Sequence, residues 1–285
     1  MIKRNFQRLS LLFVLPLLFF SACRPTVKAQ PKIQMSTERI TPIIPKYVEV
    51  VPPTIDDSVW DTSHLDISHI DRTRKLIAFT FDDAPKGSLE NILAVFAAFN
   101  ESNPDCKASA TLFCNGNLID NDSAHSLQTA LALGLELGNH GYSHLDMTKL
   151  TAEEVRAEID DTDELLARVD GKEKHLFRAP YGRVDEAVKA TVSVPVLDWT
   201  IDTLDWTGAS AEDIYQTVFS QKLSGSIVLM HDGYPHTVDA LKRLLPDLKA
   251  EGYQAVSVSQ LSKAHACPLK KGSVYIRARK SEAVK

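Results

Sequence analysis

Hydrophobic positions change their period repeatedly after about Arg74. "KLIAFTF" (Lys75–Phe81) is a short, nearly continuous apolar run with β-branched and aromatic residues, the pattern of a buried strand. "LENILAVFAAFN" (Leu89–Asn100) places apolar residues three and four apart and predicts a helix. "SATLFCN" (Ser109–Asn115) predicts a second strand, and "HSLQTALALGLELGNH" (His125–His140) a helix ending near Gly138. Thr151 and Glu154 have capping-box spacing ahead of a helix with Val155, Ile159, Leu166 and Val169 along one face. "HLFRAP", "VPVLDWTI" and "SIVLMHD" are further strand-like runs, "TVDALKRLLPDLKAEG" is helical, and "YQAVSVSQL" closes the series. Strands alternating with helices imply an α/β fold built on a parallel sheet or a barrel. No internal repeat is evident.

The first 72 residues lack this pattern. Lys3, Arg4 and Arg8 precede Leu9–Ala22, a mostly apolar run of 14 uncharged residues, whereas a bilayer-spanning helix needs about 20. A basic start, a short apolar run and small residues at its end predict a signal peptide over residues 1–22. Ser21-Ala22-Cys23 resembles a bacterial lipobox, with Phe20 in place of the usual leucine, so Cys23 is the expected lipidation site; simple secretion with Cys23 unmodified is the competing reading. Six prolines between Pro25 and Pro53 predict a semi-extended tether over residues 23–72. The chain is then an exported bacterial protein of the periplasm or cell envelope, held to the membrane by an N-terminal lipid. His64 and His69 lie before the regular pattern and are expected on the surface. A single catalytic domain is expected over residues 73–265, followed by a solvated basic tail over 266–285, with six basic residues and one acidic residue after Leu269.

Composition adds little. The chain has 285 residues, is 44% hydrophobic and 24% charged, and carries a net charge of -5, which does not suggest a nucleic-acid partner. Cys106, Cys114 and Cys267 are an odd set once Cys23 is set aside, which argues against a disulfide framework. Cys106 and Cys114 flank a strand-like run that spans roughly 26 Å when extended, while a disulfide needs Cα atoms about 6 Å apart. They are therefore expected to be unpaired with each other.

Candidate chemistry gathers at the ends of the predicted strands. Asp82 and Asp83 end the first, where two neighbouring carboxylates need compensating charge. "HGYSH" places His140 and His144 four apart, so that both rings can meet one ion. Two histidines and one carboxylate leave positions open for water and substrate, as in catalytic rather than structural metal sites. A second acid beside the ligand, Asp82, is suited to proton abstraction. His231 ends "SIVLMHD", a position where barrel enzymes carry catalytic groups.

"TFDDAP", "HGYSH", "FRAPYG", "DTLDW" and "VLMHDG" occur in that order from Thr80 to Gly233. Together they closely resemble carbohydrate esterase family four, the polysaccharide deacetylases of the NodB-homology type, over roughly Lys75–Leu261. Ala84 and Ala179 stand where the family has glycine and proline, and neither change removes a reactive side chain. The resemblance implies a distorted (β/α) barrel with an open groove. It implies that Asp83, His140 and His144 hold a divalent metal, usually zinc, with cobalt, nickel or manganese as alternatives. It implies that Asp82 is the general base, His231 the general acid, Arg178 the partner that orients the base, and Asp205 the partner of His231. Tyr181 would offer its backbone N–H to the oxyanion, and Trp206 and Leu229 would line the acetyl pocket. "LDW" occurs twice, and the second copy fits the family spacing, which leaves Asp198 and Trp199 structural.

The expected activity is hydrolysis of N-acetyl groups on N-acetylglucosamine residues of a cell-envelope polysaccharide, with peptidoglycan first. Chitooligosaccharide, poly-N-acetylglucosamine and acetylxylan are the alternative substrates. A non-catalytic carbohydrate-binding module is the alternative of a different class, though every reactive position is filled. If the family glycine supplies a positive φ, Ala84 would be strained.

Overall fold

Lys75–Ala84 forms β1, the central strand of the fold in a computed structural model that describes residues 58–279. The elements that follow are α1 (Leu89–Ser102), β2 (Thr111–Cys114), α2 (Asn121–Ala132), β3 (Glu136–Asn139), α3 (Ala152–Asp170), α4 (Glu186–Thr191), β4 (Val196–Leu197), β5 (Ile201–Asp202), α5 (Ala211–Gln221), β6 (Ile227–His231), α6 (Pro235–Ala250), β7 (Tyr253–Val256), α7 (Val258–Ala264) and β8 (Val274–Tyr275). The main sheet has the order β3-β2-β1-β6-β5, all parallel, and β7 pairs with the first half of β1. Single parallel bridges from Phe177 to Asn139 and to Val196 carry the order on from β3 to β4. The sheet thereby curls into the distorted barrel that the alternation of elements and the motifs predict.

The two-residue period of β1 sorts its side chains. Ile77, Phe79 and Phe81 face outward into the main core, which includes Phe96 of α1 and Leu241 and Leu244 of α6. Leu76 and Ala78 face the other way, into a second core with Phe113, Leu176, Leu197 and Ile227. Thr80 and Asp82 continue that inward-facing set. A carboxylate is thus carried to the interior mouth of the barrel by strand periodicity alone. Because the strands are parallel, all five motifs emerge on one rim, at or just after the C-terminal ends of β1, β3, the Phe177 bridge, β5 and β6.

Several expectations are corrected. The helix predicted to run to Gly138 stops at Ala132, and Glu136–Asn139 is β3. Gly134 adopts φ +85°, which ends the helix. Gly138 sits where a β-carbon would come 2.6 Å from the Phe113 ring, a close approach that suits a strand crossing and needs glycine. "HLFRAP" makes only the bridge at Phe177, and "VPVLDWTI" splits into β4 and β5. The closing run "YQAVSVSQL" divides into β7 and the start of α7, where Ser257 and Gln260 form a capping box. The Thr151–Glu154 box forms as expected.

The boundaries at 73 and 265 are too narrow. Trp60 N–H donates to the Leu269 carbonyl (2.7 Å) and its indole N–H to Ser259 Oγ (3.2 Å), while Ile67 and Ile70 are buried. At the other end, Leu269 and Ala278 are fully buried, β8 pairs with β4, and Arg277 bridges Ser226. The last stretch up to Arg279 is therefore packed structure and not a solvated tail; its basic residues alternate with the apolar ones that anchor it. His64 and His69 are exposed as expected, and Cys106, Cys114 and Cys267 are free thiols. Burial pushes the Cys114 thiol well above its ordinary range. The expected signal peptide, the expected lipidation at Cys23 and most of the expected tether lie outside the described residues. Among the described residues no helix is long and apolar enough to cross a membrane.

Candidate active site

Asp82 is almost fully buried, and its compensating charge is Arg178, which is wholly buried. The guanidinium donates from Nη1 to Asp82 Oδ1 (2.7 Å) and to Thr80 Oγ1 (2.7 Å), from Nε to the Leu197 carbonyl (3.1 Å), and from Nη2 to the Asp198 carbonyl (3.0 Å). Its Cζ lies 4.2 Å from the Phe113 ring centroid. Four of its five N–H groups are thus used, from all three nitrogens, as suits a buried arginine. Oδ1 of Asp82 is committed to the arginine, whereas Oδ2 faces the histidines, 3.7 Å from His140 Nε2.

Asp83 is turned away from its neighbour by the backbone. It adopts φ 64°, the left-handed region, so the expected strain falls on Asp83 and not on Ala84, whose methyl is buried in the main core. His144 (φ 56°), Tyr181 (φ 62°) and Leu204 (φ 56°) share that conformation. Four of the five non-glycine residues with positive φ among the described residues therefore lie within the site motifs. Each costs on the order of 1 kcal/mol or more and persists only where the surroundings enforce it.

The candidate metal centre is formed by Asp83, His140 and His144, whose ligand atoms all lie within 4.8 Å of one another. His140 Nδ1 donates to the Arg178 carbonyl (2.8 Å). That bond fixes the proton on Nδ1 and leaves Nε2 with a free lone pair, 3.9 Å from Asp83 Oδ1. Burial pushes the His140 pKa down, which favours the neutral, ligating form. His144 Nε2 is 3.3 Å from the same Asp83 oxygen. Two imidazoles and one carboxylate converging on one point fit a borderline divalent cation with open coordination positions. Lys86 Nζ lies 3.3 Å from the other Asp83 oxygen.

The second acid–histidine pair is held equally firmly. Asp205 Oδ1 accepts from His231 Nδ1 (2.7 Å) and the Trp206 N–H (2.9 Å), and Oδ2 from the His231 N–H (2.8 Å) and Thr237 Oγ (2.7 Å). Burial works against a charged His231 ring, but the hydrogen bond to Asp205 and the charges of Asp82, Asp205 and Asp83 outweigh it and raise the pKa above the usual histidine range. The ring's Nε2 is the nitrogen left for substrate.

Of the remaining expected residues, Leu229 is buried on β6, opposite Thr80 in register. Trp206 and Tyr181 are more than half exposed, and the Tyr181 ring stacks edge-on against His144 with centroids 4.7 Å apart. Trp199 approaches Arg178 at 5.7 Å, in keeping with a structural role. Three residues were missed. Asp232, fully buried, accepts from the backbone N–H groups of Lys86 and Ser88, and its own N–H donates to the Asp82 carbonyl (2.9 Å). It ties the β6 end to the loop that carries Asp82 and Asp83. Thr80 and Thr237 brace Arg178 and Asp205. Asp232 stands beside His231 in its motif, so the signal was present; the threonines carry none.

Comparison with known proteins agrees with this geometry. Residues 69–194 match the family model described as polysaccharide deacetylase. The peptidoglycan-N-acetylmuramic acid deacetylase PdaC of Bacillus subtilis is 32% identical over 192 residues, covering 67% of this chain and 40% of PdaC. A solved structure of PdaC matches with a TM-score of 0.63 at 31% identity, covering 68% of this chain and 93% of that one. A peptidoglycan-N-acetylglucosamine deacetylase of Bacillus cereus is 32% identical over 201 residues, covering 67% of this chain and 90% of the relative. The family 4 acetyl xylan esterase of Clostridium thermocellum, solved with a cobalt ion, matches with a TM-score of 0.66 at 26% identity, covering 71% of this chain and 98% of that one. The chain thus spans about two-fifths of the length of PdaC but nearly all of the Bacillus cereus relative. A relative matched over 90% of its length, the family model and the five motifs on one rim agree: the chain belongs to the polysaccharide deacetylase family.

Proposed function

We propose that the protein is a metal-dependent hydrolase that removes N-acetyl groups from N-acetylglucosamine residues of peptidoglycan and releases acetate. The observation that carries this reading is the pairing of two differently equipped groups around one candidate metal centre. Asp82 has one oxygen clamped by Arg178 and one directed at the centre, and His231 has Nδ1 clamped by Asp205 and Nε2 open. A carboxylate and an imidazolium so arranged are a base and an acid for one hydrolysis.

A divalent cation held by Asp83, His140 and His144, with zinc the preferred ion and cobalt, nickel or manganese as alternatives, would polarise the acetyl carbonyl and acidify the attacking water. Asp82 Oδ2 takes that water's proton as its oxygen bonds to the carbonyl carbon. The Tyr181 N–H donates to the oxyanion. His231 Nε2 then protonates the sugar nitrogen as the C–N bond breaks, since an unprotonated amine is a very poor leaving group. The exposed Trp206 and buried Leu229 bound the pocket for the acetyl methyl.

Peptidoglycan is preferred because the Bacillus cereus relative is named for that substrate and because the signal-like N-terminus, with Cys23 as a lipid anchor and a proline-rich tether, suits an exported enzyme within reach of the cell wall. The acetyl xylan esterase among the structural matches keeps acetylxylan in view. Acetate release should be measured on purified peptidoglycan, chitooligosaccharide, poly-N-acetylglucosamine and acetylxylan with zinc- or cobalt-loaded protein. Release that is fastest from peptidoglycan is expected; none from it would end that assignment, and none from any of them would end the hydrolase reading. In the same assay His140→Ala should lose metal and activity together.

The acid assignment has a pH signature. Because the charged form of His231 is the active one, rising pH removes activity as the imidazolium deprotonates. Its raised pKa places that limb above about 6.5, the ordinary histidine value. Asp205→Asn removes a charge that favours the imidazolium, and should move the alkaline limb of the kcat/KM profile to lower pH. An unmoved limb would assign it to another group.

A further inference from the structure

The loop between the two ligating histidines is held from outside the site by a helix that carries no recognised motif. Asn139, fully buried at the end of β3, accepts the Gly141 N–H on its side-chain oxygen (2.9 Å). Its amide donates to the Ile159 carbonyl (2.8 Å) and to Asp163 Oδ1 (2.9 Å), both on α3. Two residues further on, the Ser143 N–H donates to Glu158 Oε2 (2.7 Å), also on α3. Gly141 adopts φ +77°, and a β-carbon there would meet Met147 Cε at 2.7 Å and Glu158 Oε2 at 3.3 Å, so this turn runs close against its supports. The residues before and after His140, and the residue before His144, are thus each tied to α3 directly or through one amide.

Asp163 is itself fixed from behind. His175, buried, places Nδ1 2.9 Å from Asp163 Oδ1 and Nε2 3.2 Å from Asp170 Oδ1. Lys174 lies 3.5 Å from Asp163 Oδ2. A buried carboxylate that accepts from both a histidine and an asparagine cannot rotate without breaking one of them, so the Asn139 amide is locked in the orientation that presents its oxygen to Gly141. The strained His144 (φ 56°) sits at the end of this loop and needs such over-determination to persist.

We propose that Asp163 and Glu158 are positioning residues for the candidate metal centre: two carboxylates of α3 that hold the His140–His144 loop in its ligating geometry without touching the ion or the substrate. The inference rests on the metal-site reading. Outer partners of metal ligands typically set metal affinity by about 10- to 100-fold. The dissociation constants of the purified protein for zinc and for cobalt, measured by competition with a chelator, are therefore the readout, with no substrate present. Asp163→Ala and Glu158→Ala should each weaken binding roughly 10-fold or more. Asp163→Asn and Glu158→Gln, which keep an oxygen acceptor in place, should restore it to within about threefold of the wild type. Leu248→Ala, a cavity in α6 away from the loop, should cost stability but leave the constants unchanged. Glu158 is near the surface, so its alanine variant decides the matter if Asp163→Ala does not fold. Wild-type affinity in a folded alanine variant, or an equal loss in Leu248→Ala, overturns the assignment. A wild-type protein that binds neither metal would instead end the metal-site reading itself.

Discussion

Asp82→Asn is expected to lower kcat by about 10³-fold, within the range of about 10² to 10⁴ typical of a lost general base, while zinc and cobalt still bind. The substitution keeps the shape of the side chain and an oxygen for Arg178, so the clamp at Oδ1 survives in weakened form. What it removes is the proton acceptor at Oδ2, the atom that faces the candidate centre. Asp82 is not one of the three convergent ligands, and His140 is held by the Arg178 backbone carbonyl, which the variant does not touch. Activity and metal content should therefore separate, in contrast to His140→Ala, where both fall. Full activity in a metal-loaded Asp82→Asn protein would sink the base assignment; loss of metal along with activity would make Asp82 a ligand.

Much of this site is legible in the sequence. β1 announced itself as an apolar run, and the strand period alone puts Asp82 on the inward face with Thr80. The spacing of His140 and His144 suggested a shared ion. The pairing of Asp82 with Arg178 spans 96 residues of sequence, and only the resemblance of the motifs to a known family brought it into view. The boundary between α2 and β3 was not legible because "LALGLELGN" is apolar at both periods; the left-handed Gly134 decides it, and a glycine in an apolar stretch does not declare its φ. The folded end of the chain was hidden by its charge: Leu269 and Ala278 are buried among lysines and arginines whose side chains reach solvent. Asp163 and Glu158 were missed for a common reason. They act on backbone N–H groups or on another side chain, and such partners leave no residue-type signature at a fixed spacing.

Arg178→Met should be the most destabilising single change in the site, costing about 3–5 kcal/mol, because it leaves the Asp82 carboxylate buried without its charge partner. For a domain of this size that corresponds to a melting temperature lower by roughly 6–20 °C. Methionine fills a similar volume beside Phe113, so lost packing is the smaller part of the effect. The larger parts are the orphaned Asp82 and the Thr80, Leu197 and Asp198 acceptors that the guanidinium had served. A second substitution separates these contributions. Asp82→Asn in the Arg178→Met background neutralises the stranded charge and should recover a substantial share of the lost stability, even though the two changes made separately would both be expected to harm the protein. Non-additivity of that sign is what a buried ion pair predicts and what a simple loss of packing does not. Arg178→Lys should fall between, since an ammonium restores the charge but cannot span the four acceptors that the fork reaches at once. Thermal unfolding of the four proteins, together with the Asp82→Asn single variant, checks the set. A double variant no more stable than Arg178→Met alone would mean that the arginine serves the fold through its contacts with Phe113 and the backbone carbonyls, and that Asp82 finds its compensation elsewhere.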